Sequence, residues 1–308
     1  MNIALFSDVH GHLRIVLHMI RCWQIAHKNW IDLSLIAGDL GCFPDSSNFD
    51  KATKRWIKRD PEEAGFSKYF VKQKSDVLTM LDGIPEVGPF SAVRCPILFV
   101  AGNHEDFTFL HECEKAGPSD GMDKNTFPVD CYKRFHCIKN GSVVRFRNNK
   151  GNVIRIAGLW GIENVPDHHP GKISKNAVDR LIKEGSGSLD LLLTHDAPLH
   201  SYTGCRASSM ISEVIHTCRS PLHLFGHAHP VDGTHKFSSP GIPTKSYIFE
   251  DVGFGKKCNG NLEGSMGILN WNVVQGKGGG VVEIVRNRWL CQMRHRSWNH
   301  VWPKPDDW

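Results

Sequence analysis

The stretch FVAGNHEDF, residues 99–107, decides how this chain is read. An apolar run stops at Gly102, and Asn103, His104, Glu105 and Asp106 follow at once. Strands of an open α/β sheet that end this way deliver side chains to a site beyond the sheet's carboxyl edge. A turn followed by a helix cap would use the same residues, because Asn favours turns and acids favour a first helical turn. The choice rests on whether other segments end alike.

They do. NIALFSD (2–8), DLSLIAGD (32–39), CPILFVAGN (95–103), NVIRIAGLWG (152–161), LDLLLTHD (189–196) and PLHLFGHAH (221–229) are nearly continuous apolar runs closed by Gly or polar residues. Such runs suit strands covered on both faces. Between them, LRIVLHMIRCWQIAHKN (13–29) and SKNAVDRLIKEG (174–185) show helical spacing. The second opens on Ser and closes on Gly, as capped helices do. Strands alternating with helices predict an α/β layered fold. Five of the ends carry metal-type ligands: Asp8 with His10, Asp39, Asn103 with His104, His195 with Asp196, and His227 with His229. Each fragment alone is commonplace. Five in order, each behind an apolar run, point to one site on one sheet edge.

Composition sets the limits. The chain has 308 residues, 40% hydrophobic and 22% charged, with a formal charge of +5. That balance permits an anionic substrate without establishing one. The N-terminus enters a strand directly, with no signal-peptide pattern, and no apolar run is long enough to span a bilayer. The expectation is a cytoplasmic protein, or a nuclear one in a eukaryote, with no membrane partner. Ten cysteines occur without a CxxC pair, which reads as reduced thiols rather than a zinc site or a disulfide framework.

Residues 43–90 read as a helical insert. From Lys51 to Lys74 there are eight Lys/Arg against three acids, with Trp56, Phe66, Tyr69 and Phe70 interleaved. Either a nucleic-acid backbone is gripped there or an amphipathic helix shows a solvated face. Residues 231–308 read as a β-rich portion of one domain spanning 1–308. The run GKGGG (276–280) reads as a hairpin turn or loop, since no phosphate-loop Lys-Ser/Thr and helix follow it. The tail from Arg286 to Trp302, with four arginines, three tryptophans and no acid, reads as a basic edge strand or a nucleic-acid contact.

The series D-x-H-G … G-D … G-N-H-E … H … G-H-x-H over residues 8–229 resembles the calcineurin-like metallophosphoesterases. The resemblance implies a four-layer α/β/β/α sandwich, with a helical insert between the second and third motifs and two divalent ions at the strand ends. Asp8, His10 and His229 match the ligands of the first ion. Asn103, His195 and His227 match those of the second, and Asp39 matches the shared carboxylate. His104 matches the histidine that acts on the substrate instead of a metal. Two ions can hold a hydroxide between them and neutralise a phosphoryl group. Nitrogen and oxygen donors without thiolate suit Mn, Fe or Zn. A cationic His104 would stabilise the pentacovalent charge and protonate the leaving oxygen. Glu105, Asp106 and Asp196 would either orient an imidazole or serve as helix N-terminal charge. His168 and His169, in NVPDHHPG, either reach a substrate phosphate or form the turn before Pro170.

The Ser/Thr protein phosphatases share DVHG and GNHE, but their GDxVDRG is here GDLGCF, without the arginine. Lariat RNA debranching enzymes resemble more of the chain: GNHEDFTFLHE, HCIKNGSVVRFRNNKGNVIRIAGLWGI and LDLLLTHDAP follow that family's order. The chain departs from them in having Asp8 where they carry Cys, and GHAH where they carry AHxH. The expectation is a phosphodiesterase bound to RNA, DNA or a nucleotide. The alternatives are a phosphomonoesterase, a phosphoprotein phosphatase and a catalytically idle scaffold.

Overall fold

The apolar runs become the inner strands of two sheets. The computed structural model describes residues 1–119, 121–187, 189–199, 207–230, 233–238, 241–253, 262–274 and 277–304. Strands β1 (Asn2–Phe6), β2 (Leu33–Ile36), β3 (Ile97–Phe99), β4 (Thr126–Pro128) and β5 (Phe135–Ile138) lie in the first sheet. Strands β6 (Ser142–Arg147), β7 (Val153–Leu159), β8 (Leu191–Thr194), β9 (Leu222–Leu224), β10 (Lys236–Ser238) and β11 (Lys245–Tyr247) form the second. Strands β12 (Gly267–Val274) and β13 (Lys277–Ile284) return to the first sheet beside β1, giving the order β13-β12-β1-β2-β3-β5-β4. The second sheet runs β10-β11-β9-β8-β7-β6.

In the first sheet β1, β2, β3 and β5 are parallel. In the second, β7, β8, β9 and β11 are parallel. Parallel inner strands need cover on both faces, which explains their unbroken apolar sequences. Period-two alternation then sorts the side chains. Leu191 and Leu193 of β8 join Leu5, Leu35 and Phe99 in the main core, while Leu192 turns away and packs with Val178, Leu181, Ile211 and Val214. Those four sit on α5 (Lys175–Gly185) and α6 (Ser209–Cys218), so these helices cover the outer face of the second sheet. The sheets touch directly: a Cβ on Gly158 of β7 would lie 2.6 Å from Ile138 Cγ2 of β5.

Helix α1 (Leu13–His27) packs into the main core and is buried along most of its length. It stops two residues short of the predicted end because Lys28 turns left-handed, φ 48°, and its N–H closes on Gln24 O. The insert is a chain of short helical pieces: α2 (Lys51–Trp56), turns at Pro61–Ala64 and Phe66–Phe70, and α3 (Ser75–Asp82). Its Phe66 and Phe70 are buried, while Lys54, Arg55, Lys58 and Arg59 are exposed. It docks tightly on the first loop. A Cβ on Gly11 would run into the Glu63 carbonyl, and Arg14 of α1 bonds Glu62 at 2.7 Å and Asp76 at 2.6 Å. Helix α4 (Phe107–Ala116) follows the GNHE loop.

Two local expectations change. Lys277–Gly280 of GKGGG belong to strand β13, paired in register with Val274–Trp271; Gly276 lies outside the described residues. The glycines are there for packing, because a Cβ on Gly278 would enter the Trp271 indole and one on Gly280 would come within 3.1 Å of it. The tail is not an edge strand. It forms α7 (Arg288–Gln292) and a turn at Trp298–His300, with Trp289 and Trp298 buried. Trp302 packs back on α1, 5.3 Å from the His18 ring and 4.7 Å from the Arg21 guanidinium. Packing, not solvent, takes up these aromatics. Among the described residues no helix is long and apolar enough to cross a membrane.

Candidate metal centre and active site

Asp8 follows β1, Asp39 follows β2, and Asn103 with His104 follow β3, all at carboxyl ends of parallel strands. His195 follows β8, and His227 and His229 follow β9. The two sheets meet so that Asp8, Asp39 and His195 each bring a ligand atom within 4.8 Å of the others, all three buried. His10, His104, His227 and His229 line the cleft beside them.

Backbone geometry makes this convergence possible. His10, Asp39 and His227 adopt left-handed backbones with φ of 45°, 44° and 61°. Non-glycine residues tolerate that region only where surrounding structure holds them, and such strain clusters at functional sites. The preceding glycines leave room for the neighbouring loop. A Cβ on Gly102 would strike the Asp39 carboxylate, and one on Gly226 would lie 2.8 Å from Asp8 Oδ2.

Hydrogen bonds then assign which atoms remain available. Asp39 Oδ1 accepts the N–H groups of Asn103 at 2.7 Å and His104 at 2.8 Å. Its other oxygen, Oδ2, faces His195 Nε2 at 3.3 Å and His10 Nε2 at 3.9 Å. His195 Nδ1–H donates to Ala37 O at 2.8 Å, which leaves the Nε2 lone pair, 3.1 Å from Asn103 Oδ1, for a ligand role. The Asp8 carboxylate accepts His227 N–H at 3.0 Å. His229 pairs through Nδ1 with Asp251 at 3.0 Å.

The electrostatics suit a cation. Burial raises the Asp8 carboxyl to about 6, against the pull of His195 and with Asp251 and Asp39 adding to the rise. Burial also pushes Asp39 up, but His195 and His104 beside it outweigh that and hold it well below its ordinary 3.8. Burial would lower His195, yet Asp39 and Asp8 outweigh it and raise the imidazole to about 10. A proton between two buried carboxylates does there what a divalent ion would do more strongly. His227 is different: burial, reinforced by His195, lowers it to about 4, so its ring is neutral and able to ligate. The donor set, all oxygen and nitrogen with tautomers fixed from behind, fits a divalent metal.

His104 stands apart from the ligands. Burial opposes its charge, but Asp39 and Asp50 outweigh it and raise the ring to about 9. Its Nδ1–H bonds the Asp50 carboxylate, leaving Nε2 as a proton donor. With Nδ1–H held by Asp50, a protonated ring presents its Nε2–H as a general acid.

The acids expected to orient imidazoles do other work. Glu105 accepts the N–H groups of Leu40 at 2.8 Å and Cys42 at 2.7 Å, so it holds the Gly38–Asp39 loop rather than a ring. Asp106 caps α4 through Phe109 N–H and accepts Asn48 Nδ2–H. Asp196 accepts Glu163 N–H at 2.9 Å and Ala197 N–H at 2.9 Å. In each case a backbone donor lies within reach and takes the carboxylate. His168 is exposed, and neither it nor His169 lines the cleft; His169 Nδ1 accepts Gly171 N–H at 3.1 Å in the turn.

The imidazole-orienting acids are instead Asp50 and Asp251. Asp50 is also the N-cap of α2, accepting Thr53 N–H at 2.7 Å. Asp251 lies in IFEDVGF, with no glycine turn and no histidine beside it. Neither had a local signal, since each partner comes from a distant loop.

The sequence pattern of the calcineurin-like phosphoesterases matches residues 1–231. No curated protein matches the chain. Among solved structures it is similar to TT1561 of Thermus thermophilus, at 11% identity over 82% of this chain and 91% of that one, with a TM-score of 0.47. It is also similar to a novel phosphatase from Mycoplasma pneumoniae, at 15% identity over 98% and 99% of the two chains, with a TM-score of 0.39. Neither likeness is close enough to argue from. The family match itself includes every strand end that feeds the cluster, through His229: the chain belongs to the calcineurin-like phosphoesterases and is a metal-dependent hydrolase of phosphate esters.

Proposed function

We propose that the chain, acting as one unit over residues 1–308, is a phosphodiesterase for nucleic acid or nucleotides, with two ions of manganese, iron or zinc. The observation behind this reading is the Asp8–Asp39–His195 cluster opening into a cleft of about 720 Å³. Arg59 is the single Arg or Lys among the described residues that line it. A diester carries one negative charge where a monoester carries two, so it is better suited to so few fixed cations. The motif order read above as resembling lariat RNA debranching enzymes supports a diester of RNA, DNA or a nucleotide. Eight described cysteines are free thiols, which fits a reducing compartment such as the cytoplasm or nucleus.

In this reading Asp8, His10 and His229 would hold one ion, Asn103, His195 and His227 would hold the other, and Asp39 would be shared by both. Such a pair supplies Lewis acidity and an acidified water. The protein's own part is positional. Ala37 O and Asp251 orient the imidazoles, and the loop N–H groups fix Asp39. Asp50 keeps the His104 ring turned so that Nε2 can give its proton to the leaving oxygen.

Hydrolysis of bis-p-nitrophenyl phosphate and p-nitrophenyl phosphate by the Mn²⁺-loaded protein tests the reading, with Asp39→Asn and His104→Ala alongside. The expected result is diester turnover that both variants lose, with metal retained in His104→Ala. Monoester-only turnover would make the protein a phosphatase. No turnover with Mn, Fe or Zn would make it an idle scaffold.

A further inference from the structure

The far wall of the cleft is built by the insert, and its composition is specific. Ala52, Thr53, Trp56 and Arg59 reach it from α2 and the turn that follows. Trp56 is 36% exposed, an uncommon state for an indole with a packed core nearby. The guanidinium groups of Arg55 and Arg59 lie 5.1 and 5.8 Å from its ring. A flat aromatic face flanked by cations beside a phosphate-ester centre is what a nucleobase joined to a phosphate would use.

The wall is also fixed relative to the chemistry. Asp50 caps α2 through Oδ1 and bonds the His104 ring through Oδ2. One carboxylate therefore sets both the acid and the start of the helix that carries Trp56. Six residues of helix rise about 9 Å, so Trp56 stands at the far end of the short helix whose start is tied to His104. On the other side, Gly11 and Gly65 allow the insert backbone to close on the first ligand loop, since a Cβ on Gly65 would strike Gly11 O. The wall cannot shift without moving that loop.

We infer that α2 is a nucleobase subsite: Trp56 stacks the base of a nucleotide whose phosphate lies at the metal cluster, and Arg59 faces its phosphate backbone. The inference rests on the phosphoesterase reading for the position of the phosphate. It names what the substrate carries beyond the ester.

Calorimetric titration of the Mn²⁺-loaded protein with adenosine 5′-monophosphate, ribose 5-phosphate and inorganic phosphate tests it without turnover. The nucleotide should bind about ten-fold more tightly than ribose 5-phosphate, the scale of one stacked base. Trp56→Ala should erase that difference and leave the other two affinities unchanged. Trp56→Phe, which keeps a ring, should restore most of it. Equal affinity for nucleotide and sugar phosphate in the wild type would overturn the subsite, as would an equal loss for all three ligands in Trp56→Ala. Loss of diesterase activity in the screen above would leave this readout standing, so the two readings fail separately.

Discussion

The two sheets build opposite halves of one site, and they hold their halves differently. The first sheet supplies Asp8, His10, Asp39, Asn103 and His104, and its loops are bonded to one another. His10 N–H closes on Asp39 O at 2.7 Å, Asp39 Oδ1 takes two N–H groups from the GNHE loop, and Glu105 takes two from the loop after Asp39. The second sheet supplies His195, His227 and His229; Gly226 N–H closes on His195 O at 2.9 Å and His229 pairs with Asp251 at 3.0 Å on its own side, while two further anchors lie across the seam. His195 donates to Ala37 O of the first sheet, and His227 N–H donates to Asp8. The acidic half is thus held mainly by bonds among its own loops, whereas His195 and His227 add bonds across the seam to Ala37 and Asp8. Those two histidines should then be the more sensitive to loss of the acids.

That asymmetry can be broken by substitution. Asp39→Asn, at the point where both halves meet, is expected to lower metal affinity by at least about 10²-fold, beyond the usual effect of losing a supporting group. His227→Ala removes one ligand from the dependent half, so one ion should remain; dialysis against Mn²⁺ distinguishes the two. If His227→Ala lost as much metal as Asp39→Asn, the asymmetry would not exist.

Gly102→Ala places a methyl against Asp39 and should cost about 1–3 kcal/mol in denaturant unfolding, as overpacking does, while weakening metal binding. Glu105→Ala strands the N–H groups of Leu40 and Cys42 and should cost about 1–3 kcal/mol, with catalysis falling because Asp39 is no longer held. Glu105 is buried beside Asp39, and that burial raises it to about 8, so the cost should be read at fixed pH.

The smallest effect lies where the first ligand loop meets the insert. His12 is buried and bonds Asp60 at 3.0 Å. Burial opposes its charge, but Asp60 outweighs that and lifts the ring from 6.5 to about 9. A raised histidine contributes its stability in full below pH 6.5 and loses it as pH rises through about 9. Metal-free wild type should therefore lose Tm as pH rises across that window. Asp60→Asn should show a flatter profile, and an identical slope in both would remove the pair as the cause.

Much of this site was legible because its makers are local. An apolar run closed by Gly or a polar residue beside a ligand-type residue marks a strand end, and the seven ligand candidates, with His104, all lie in such places. The fold followed from the same runs, since only parallel strands covered on both faces need them unbroken. What the chain hides is set by distance. Asp50 and Asp251 find their imidazoles across loops that only the folded sheets bring together. Glu105, Asp106 and Asp196 read either as partners of histidines or as helix N-terminal charge; Asp106 proves to be the helix cap, and backbone N–H groups take the other two. GKGGG looked like a turn because nothing in the run announces Trp271, whose indole requires Gly278. The basic aromatic insert split in two: Phe66 and Phe70 went to the core, and Trp56 stayed at the cleft.

The central claim is that two half-sites from two sheets share Asp39 to hold a pair of divalent ions. Equilibrium dialysis of wild type and Asp39→Asn against Mn²⁺, with bound metal counted by mass spectrometry, tests it most directly. The account predicts about two ions per wild-type chain and a loss of both in the variant. No bound metal in the wild type, or the same stoichiometry in both proteins, would contradict it.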